Sequence, residues 1–178
     1  MGRTAQISRA AILAAALDLA DGQGLAAVTM NAVAKRLDVT PMALYRHVAD
    51  KAALLDGLVE TLLTRLPPPA PELPWDERLR ATAHGIRAVA REHPDVFPLL
   101  LTRPVATPGA LQVRDAIHQA LYEAGLPQAA VWRTERLFST AVLGFAASEA
   151  AGRFRHHDEA VIDEDFAELL RWLRRMLP

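Results

Sequence analysis

TPMALYRHVADK, running from Thr40 to Lys51, is the stretch that decides how this chain is read. Thr40 supplies an N-cap, and Pro41 suits the first helical position, where a missing N–H costs nothing. The helix started there is expected to end near Val48. Leu44 and Val48 lie one turn apart and face inward. Thr40, Ala43, Arg46 and His47 then lie largely away from the core, with Met42 and Tyr45 toward its edges. A helix packed only for stability would not need that mixture.

Just upstream stands VTMNAVAKRLDV. Thr29 can cap this segment, and Met30, Val33, Ala34 and Leu37 fall at helical spacing, with Lys35 and Arg36 off the stripe. Asp38 and Val39 form a very short break. Two short helices joined this closely are a helix-turn-helix candidate, whose second helix lies in the DNA major groove. The second helix's free N–H groups suit a phosphate. Lys51, opening the next helix, can meet the backbone as a point charge.

Outward from this centre the pattern is helical. A first helix is expected over about 8–21, with Ile12, Ala16, Leu19 and Ala20 on one face, Leu13 and Leu17 beside it, and Gly22 and Gly24 as stops. Asp50 opens a fourth helix carrying Leu54, Leu55, Leu58, Val59, Leu62 and Leu63. PPPAPELP, from Pro67 to Pro74, is an extended or sharply turned connector. Further helical stretches follow over about 75–92, 109–124, 128–152 and 163–177, with a Pro-interrupted piece over 93–104. Sustained alternation of apolar and polar residues is absent, so no sheet is expected. The reading is an all-α protein divided into 1–51 (helix-turn-helix domain), 52–66 (connecting helix) and 67–178 (ligand-binding and dimerisation domain).

Composition agrees. Apolar residues make up 51% of the 178, with few β-branched residues, which favours a helical core over disorder. The absence of cysteine excludes disulfides, thiolate chemistry and Cys-based zinc sites, and fits a reducing cytoplasm. No apolar run has the length of a membrane span, and no secretory leader is evident. Residues 1–51 hold six Lys or Arg against four Asp or Glu, and the remainder fourteen against seventeen. A mildly basic head on a mildly acidic body permits anion binding by the head. No glycine-rich phosphate loop or nucleophile elbow is present, so no catalytic residues and no cofactor are assigned.

Residues 8–60 resemble the N-terminal domain of the tetracycline-repressor (TetR) family of bacterial transcription regulators. The resemblance rests on AAILAAALDLADGQGLAAVTM and AVAKRLDVTPMALYRHVADKAALL. Most characteristic is Leu44-Tyr45-Arg46-His47-Val48 followed by Asp50-Lys51. It implies that the third helix reads double-stranded operator DNA, with Thr40, Met42, Ala43, Tyr45, Arg46 and His47 at reading positions beside Pro41. Tyr45, His47 and Lys51 match positions that touch phosphates, and Thr29 and Asn31 match a further phosphate or base contact. Bottom-up, Arg46 is the one residue here with a bidentate base preference, toward guanine. Met42 and Ala43 can meet a thymine methyl. Arg3 and Arg9 are candidates for the backbone.

The body resembles the tetracycline-repressor regulatory domain in PWDERLRATAHGIRAVAREHP, LLLTRP and EAGL followed by LGF. That implies a small-molecule effector in a cavity between helices. Leu62, Thr82, Ile86, Phe97, Leu100, Arg103, Trp132, Glu135, Phe138 and Val142 are candidates to line it. Tetracycline repressors bind a magnesium–drug chelate and carry a His just before Thr-Arg-Pro. Here Leu99 and Leu100 precede Thr102-Arg103-Pro104, and Pro67 stands near the place of a second expected His. Neither tetracycline nor magnesium is therefore predicted, and His156-His157-Asp158 is not assigned to a metal.

The last helix carries Phe166, Leu169, Leu170, Leu173, Met176 and Leu177 on one stripe, and AVLGFAASEAAG is apolar or small almost all round. Both elements could close the monomer core. The resemblance implies a homodimer through a four-helix bundle of these two helices from each subunit. The expectation is a ligand-responsive DNA-binding regulator acting as a repressor in the cytoplasm. The alternative is a helical protein-interaction module that uses Tyr45 and Arg46 on a protein partner.

Overall fold

A computed structural model describes residues 7–103 and 107–177. Arg3 and Pro104 lie outside them. Among the described residues the regular structure is entirely helical. The elements are α1 (Arg9–Gln23), α2 (Met30–Arg36), α3 (Pro41–Leu44), α4 (Lys51–Thr64), α5 (Trp75–Glu92), α6 (Leu99–Thr102), α7 (Pro108–Glu123), α8 (Gln128–Ala150) and α9 (Glu159–Arg175), with one 3₁₀ turn at Leu25–Ala27.

Local chemistry sets the boundaries. Ser8, Thr29, Asp50 and Thr107 each accept a backbone N–H three residues on, from Ala11, Ala32, Ala53 and Ala110, and so satisfy one orphan donor of the helix that follows. Gly24 and Gly152 end α1 and α8 with φ of 80° and 74°, a region costly for other residues. Asp38 also has positive φ, 55°, and turns the chain between α2 and α3. An acidic or amide side chain tolerates that conformation better than most.

Two expected boundaries move. The third helix was expected to reach Val48, but α3 ends at Leu44, and Tyr45–His47 form a turn in which the N–H groups of His47 and Val48 both reach the Leu44 carbonyl at 2.9 Å. Downstream, Asp50 is extended, at φ −163°, and its carboxylate caps α4. Thr40 is extended like an N-cap, yet its hydroxyl makes no capping bond, and the Ala43 N–H bonds the Thr40 carbonyl instead. The last helix starts four residues earlier than expected, after Asp158, and half-buried Ile162 lies one turn before Phe166 in that added stretch.

One contiguous apolar core joins the first four helices to the rest. Ile12, Ala16 and Ala20 of α1, Val33 of α2 and Leu44 of α3 are essentially inaccessible, as are Leu54, Leu58 and Leu62 of α4. α4 therefore has two neighbours, packing on α1 with its first half and reaching α7 with its second. At Gly57 the α1 contact is so close that a Cβ would stand 2.4 Å from Leu13 Cδ2. One turn on, Glu60 accepts the Gly109 N–H with both carboxylate oxygens, at 2.9 and 3.0 Å, and so holds the N-terminus of α7. α5, α7 and α8 pack on one another.

Two polar clusters tie these layers. Arg87 and Arg91 of α5 meet Glu149 of α8 and Asp163 of α9, and Arg87 also lies over the rings of Phe145 and Phe166. Burial alone would raise the Glu149 carboxyl. Hydrogen bonds from Arg87 and Arg91 outweigh it and hold the carboxyl below its ordinary range. The second cluster centres on His93, buried at the end of α5. Its Nδ1 lies 2.9 Å from Asp21 Oδ2 at the end of α1, and its Nε2 lies 2.8 Å from Arg65 Nη1 at the end of α4. His93 thus bridges the ends of α1 and α4, and its Nε2 also lies 3.3 Å from Glu92 Oε1.

Candidate nucleic-acid interface and interior cavity

The segment 40–51 presents two contrasting sides. Leu44 and Val48 are buried, at 0% and 3% exposure, while Thr40, Pro41, Met42, Tyr45, Arg46, His47 and Lys51 are exposed and Ala43 is half-buried. Met42 is 72% exposed. No ion pair among the described residues engages Arg46, His47, Lys51 or Lys35, whereas Arg36 is tied to Asp18 of α1 at 3.1 Å. Among the described residues Lys35, Arg46 and Lys51 thus have no ion-pair partner. Thr29 and Asn31 are exposed at the start of α2. Thr29 Oγ1 accepts the Ala32 N–H at 3.1 Å, which leaves its hydroxyl hydrogen available to a further acceptor.

Chemically, this surface offers a guanidinium, an imidazole, an ammonium, a phenol and two hydroxyls on a rigid apolar base. That suits a polyanion carrying base edges.

The body contains a cavity of about 90 Å³ between α4, α5, α6, α7 and α8. Leu62, Ile86, Phe97, Leu100 and Glu135, five of the ten candidates, line it together. The other five are placed elsewhere. Thr82 lines a neighbouring cleft of about 320 Å³ beside Pro67–Pro69, and its hydroxyl donates to the Arg78 carbonyl. Phe138 lines a groove of about 480 Å³ between α5 and α9. Arg103 turns to α4, donating to the Ala52 carbonyl and the Asp56 carboxylate. Trp132 is 42% exposed and meets His118 edge-on at 4.8 Å, and Val142 is packed in the core. Sequence reasoning missed Arg114 and Ser139, which also line the cavity. The available signal was periodicity: Ser139 follows Glu135 by one helical turn, and Arg114 lies beside Val113 and Ile117 on α7.

His156 and His157 are exposed. Among the described residues no group of three His, Asp or Glu is placed to hold a metal ion. No described helix is long and apolar enough to cross a membrane.

Several large apolar side chains of α8 and α9 face outward in the single chain. Leu137 is 58% exposed and Trp172 58%; of the predicted stripe on the last helix, Met176 is 67% exposed while Phe166 and Leu173 are buried.

Comparison with known proteins extends these observations. Residues 12–58 match the family described as bacterial regulatory proteins, tetR family, and residues 68–175 match the tetracyclin repressor-like, C-terminal domain. An HTH-type transcriptional regulator of Saccharopolyspora erythraea is 32% identical over 161 residues, which cover 90% of this chain and 67% of that protein. The crystal structure of Mycobacterium smegmatis BioQ superposes with a TM-score of 0.83 at 26% identity, covering 95% of this chain and 97% of that one. BioQ with its natural double-stranded DNA operator gives a TM-score of 0.78 at 26% identity, covering 94% and 98%.

Proposed function

Because this chain belongs to the tetR family of bacterial regulatory proteins, we propose that it is a homodimeric repressor released from a two-fold symmetric operator by a small molecule. The observation that carries the reading is the two-sided segment 40–51: buried Leu44 and Val48 fix the segment, and unpaired Arg46, His47 and Lys51 are left for an external anion. Arg46 reads a guanine, Tyr45, His47 and Lys51 hold phosphates, and Thr29 and Asn31 add a flanking contact. Thr40, Pro41, Met42 and Ala43 form the leading edge in the groove. BioQ, of the same fold, is known with its DNA operator.

A single helix-turn-helix reads few bases, and a dimer places two of them about 34–36 Å apart on one face of the duplex. The outward apolar residues of α8 and α9 supply the surface for that pairing. The cavity bordered by Leu62, Ile86, Phe97, Leu100 and Glu135 takes the effector. Its wall includes the end of α4, the helix that packs on the reading domain, so an occupant that favours a different α4 position lowers DNA affinity by that difference. The machinery is that of a binding protein working in a cytoplasm, and it performs no catalysis.

Selection of bound sequences from a random duplex pool tests the proposal. A regulator returns a palindromic site. A helical protein-interaction module returns none, and that result would end the DNA reading.

A further inference from the structure

The cavity is apolar except for Arg114 of α7 and Glu135 and Ser139 of α8. These three are unequally provided for. The Glu135 carboxylate accepts from Ser139 Oγ at 2.9 Å. Arg114 Nε is buried with no hydrogen-bond partner. The carboxylate paired with it is that of its chain neighbour Asp115, 3.7 Å away and beyond hydrogen-bonding distance. The guanidinium lies 5.6 Å from the centre of the Trp132 ring, and no ion pair joins it to Glu135. Buried donors are almost always bonded in native proteins, and an unmet charged donor costs more than a neutral one.

We infer that the effector is an apolar organic acid whose anionic oxygens are taken by Arg114 and whose hydroxyl or amide N–H donates to Glu135. This rests on the reading of the cavity as the effector site and names the chemistry that site selects. A cationic ligand for Glu135 is the weaker match, because Glu135 already has a hydrogen-bond donor and Arg114 Nε has no acceptor. The planar fork of Arg favours a carboxylate or a similarly delocalised oxyanion.

The size of the cavity adds a consequence. About 90 Å³ is below the roughly 300 Å³ at which ordinary ligand pockets begin. Leu63, Leu66 and Val113 line both this cavity and the 320 Å³ cleft beside Pro67–Pro69. They are the partition between the two. An acid anchored on Arg114 gains room by displacing Leu63 and Leu66, which belong to the last turn of α4 and the residues just after it. Occupancy and the position of α4 are thereby coupled.

Calorimetric titration of the full chain with two matched pairs tests this: 6-hydroxy-2-naphthoic acid against its carboxamide, and decanoic acid against decanamide. Each acid is expected to bind about tenfold tighter than its amide or better. Arg114→Met removes that ratio, and Arg114→Lys restores part of it. If Arg114→Met does not fold, Glu135→Gln serves instead. It should keep the acid-to-amide ratio and reduce the advantage of 6-hydroxy-2-naphthoic acid over 2-naphthoic acid, because an amide oxygen accepts more weakly than a carboxylate. Equal binding of acid and amide, a ratio that survives Arg114→Met, or no binding by either acid overturns the inference. Retention of the selected duplex by an acid-saturated protein would instead refute the effector reading and leave the acid chemistry standing. Release of that duplex by neutral compounds alone would do the reverse.

Discussion

Glu149→Gln is expected to destabilise the protein by about 3 kcal/mol, near the low end of the range for removing one partner of a buried ion pair. The side chains of Arg87 and Glu149 are 7% and 10% exposed, and the two are joined by two hydrogen bonds of 2.6 and 2.7 Å. The amide keeps the shape of the acid but removes its charge and presents one donor to a guanidinium that can only donate. Asp163 remains 2.8 Å from Arg87, which places the cost at the low end. For a chain of this length the loss corresponds to a fall in Tm of about 6–12 °C. Thermal melts followed by circular dichroism, at one fixed protomer concentration, measure it. The pH dependence adds a second reading. The native Glu149 carboxyl titrates below its ordinary value of 4.5, so its stabilisation is complete above that pH and is lost as pH falls through the native value. The gap between wild type and Glu149→Gln should therefore be constant near neutrality and narrow in acid. Joint replacement, Arg87→Met with Glu149→Leu, should cost far less than the single change, since no buried charge is then stranded. A Tm shift under about 2 °C for Glu149→Gln, or a gap that widens in acid, would refute the reasoning.

Four other outcomes follow from the same geometry. Arg46→Ala should weaken binding to the selected duplex by about 1–3 kcal/mol and relax preference at one base per half-site; equal losses on random DNA, measured by fluorescence anisotropy, would remove Arg46 from base reading. Lys51→Ala should weaken all sequences alike and reduce the slope of log K against log salt by about one per subunit. Asp38→Val should destabilise by about 1–2 kcal/mol in urea melts, because a β-branched residue is strained at φ 55°. His84 titrates below 6.5 because of burial first and then Arg80 and Arg87, with Asp163 opposing. Its unfolded form takes up the proton first, so wild type should lose stability relative to His84→Gln as pH falls below about 6.5; parallel Tm profiles would contradict this.

The reading end was legible because its determinants are local. Caps at Thr29 and Asp50, Pro41 at a first position and Leu44 with Val48 on one side all lie within a few residues of what they shape. Even there the helix was drawn too long, because the inward pair Leu44 and Val48 is served by the turn over 45–47 as well as by a further helical turn. The interior was harder to foresee. Apolar spacing tells that Ile86 and Phe97 are inside, but not which void they share, and Arg103 and Trp132 turned elsewhere through contacts with Asp56 and His118. The meeting of Asp21, Arg65 and His93 joins positions far apart in the chain and leaves no trace in periodicity. Arg114 was passed over for the opposite reason: a charged residue beside Asp115 on an amphipathic helix reads as a solvated side chain.

The notch at Gly57 has a consequence for how an effector's message is written on DNA. Leu13 nests against that glycine, so the first half of α4 travels with the reading helices, while Glu60, one turn later, is clasped to the first turn of α7. Any tilt between the two ends must be taken up in the single turn between them. The recognition surface is then carried as an intact block, and its preference for particular bases survives. In a series of operators with lengthened or shortened spacers, the effector should shift the best spacer and leave the best half-site unchanged.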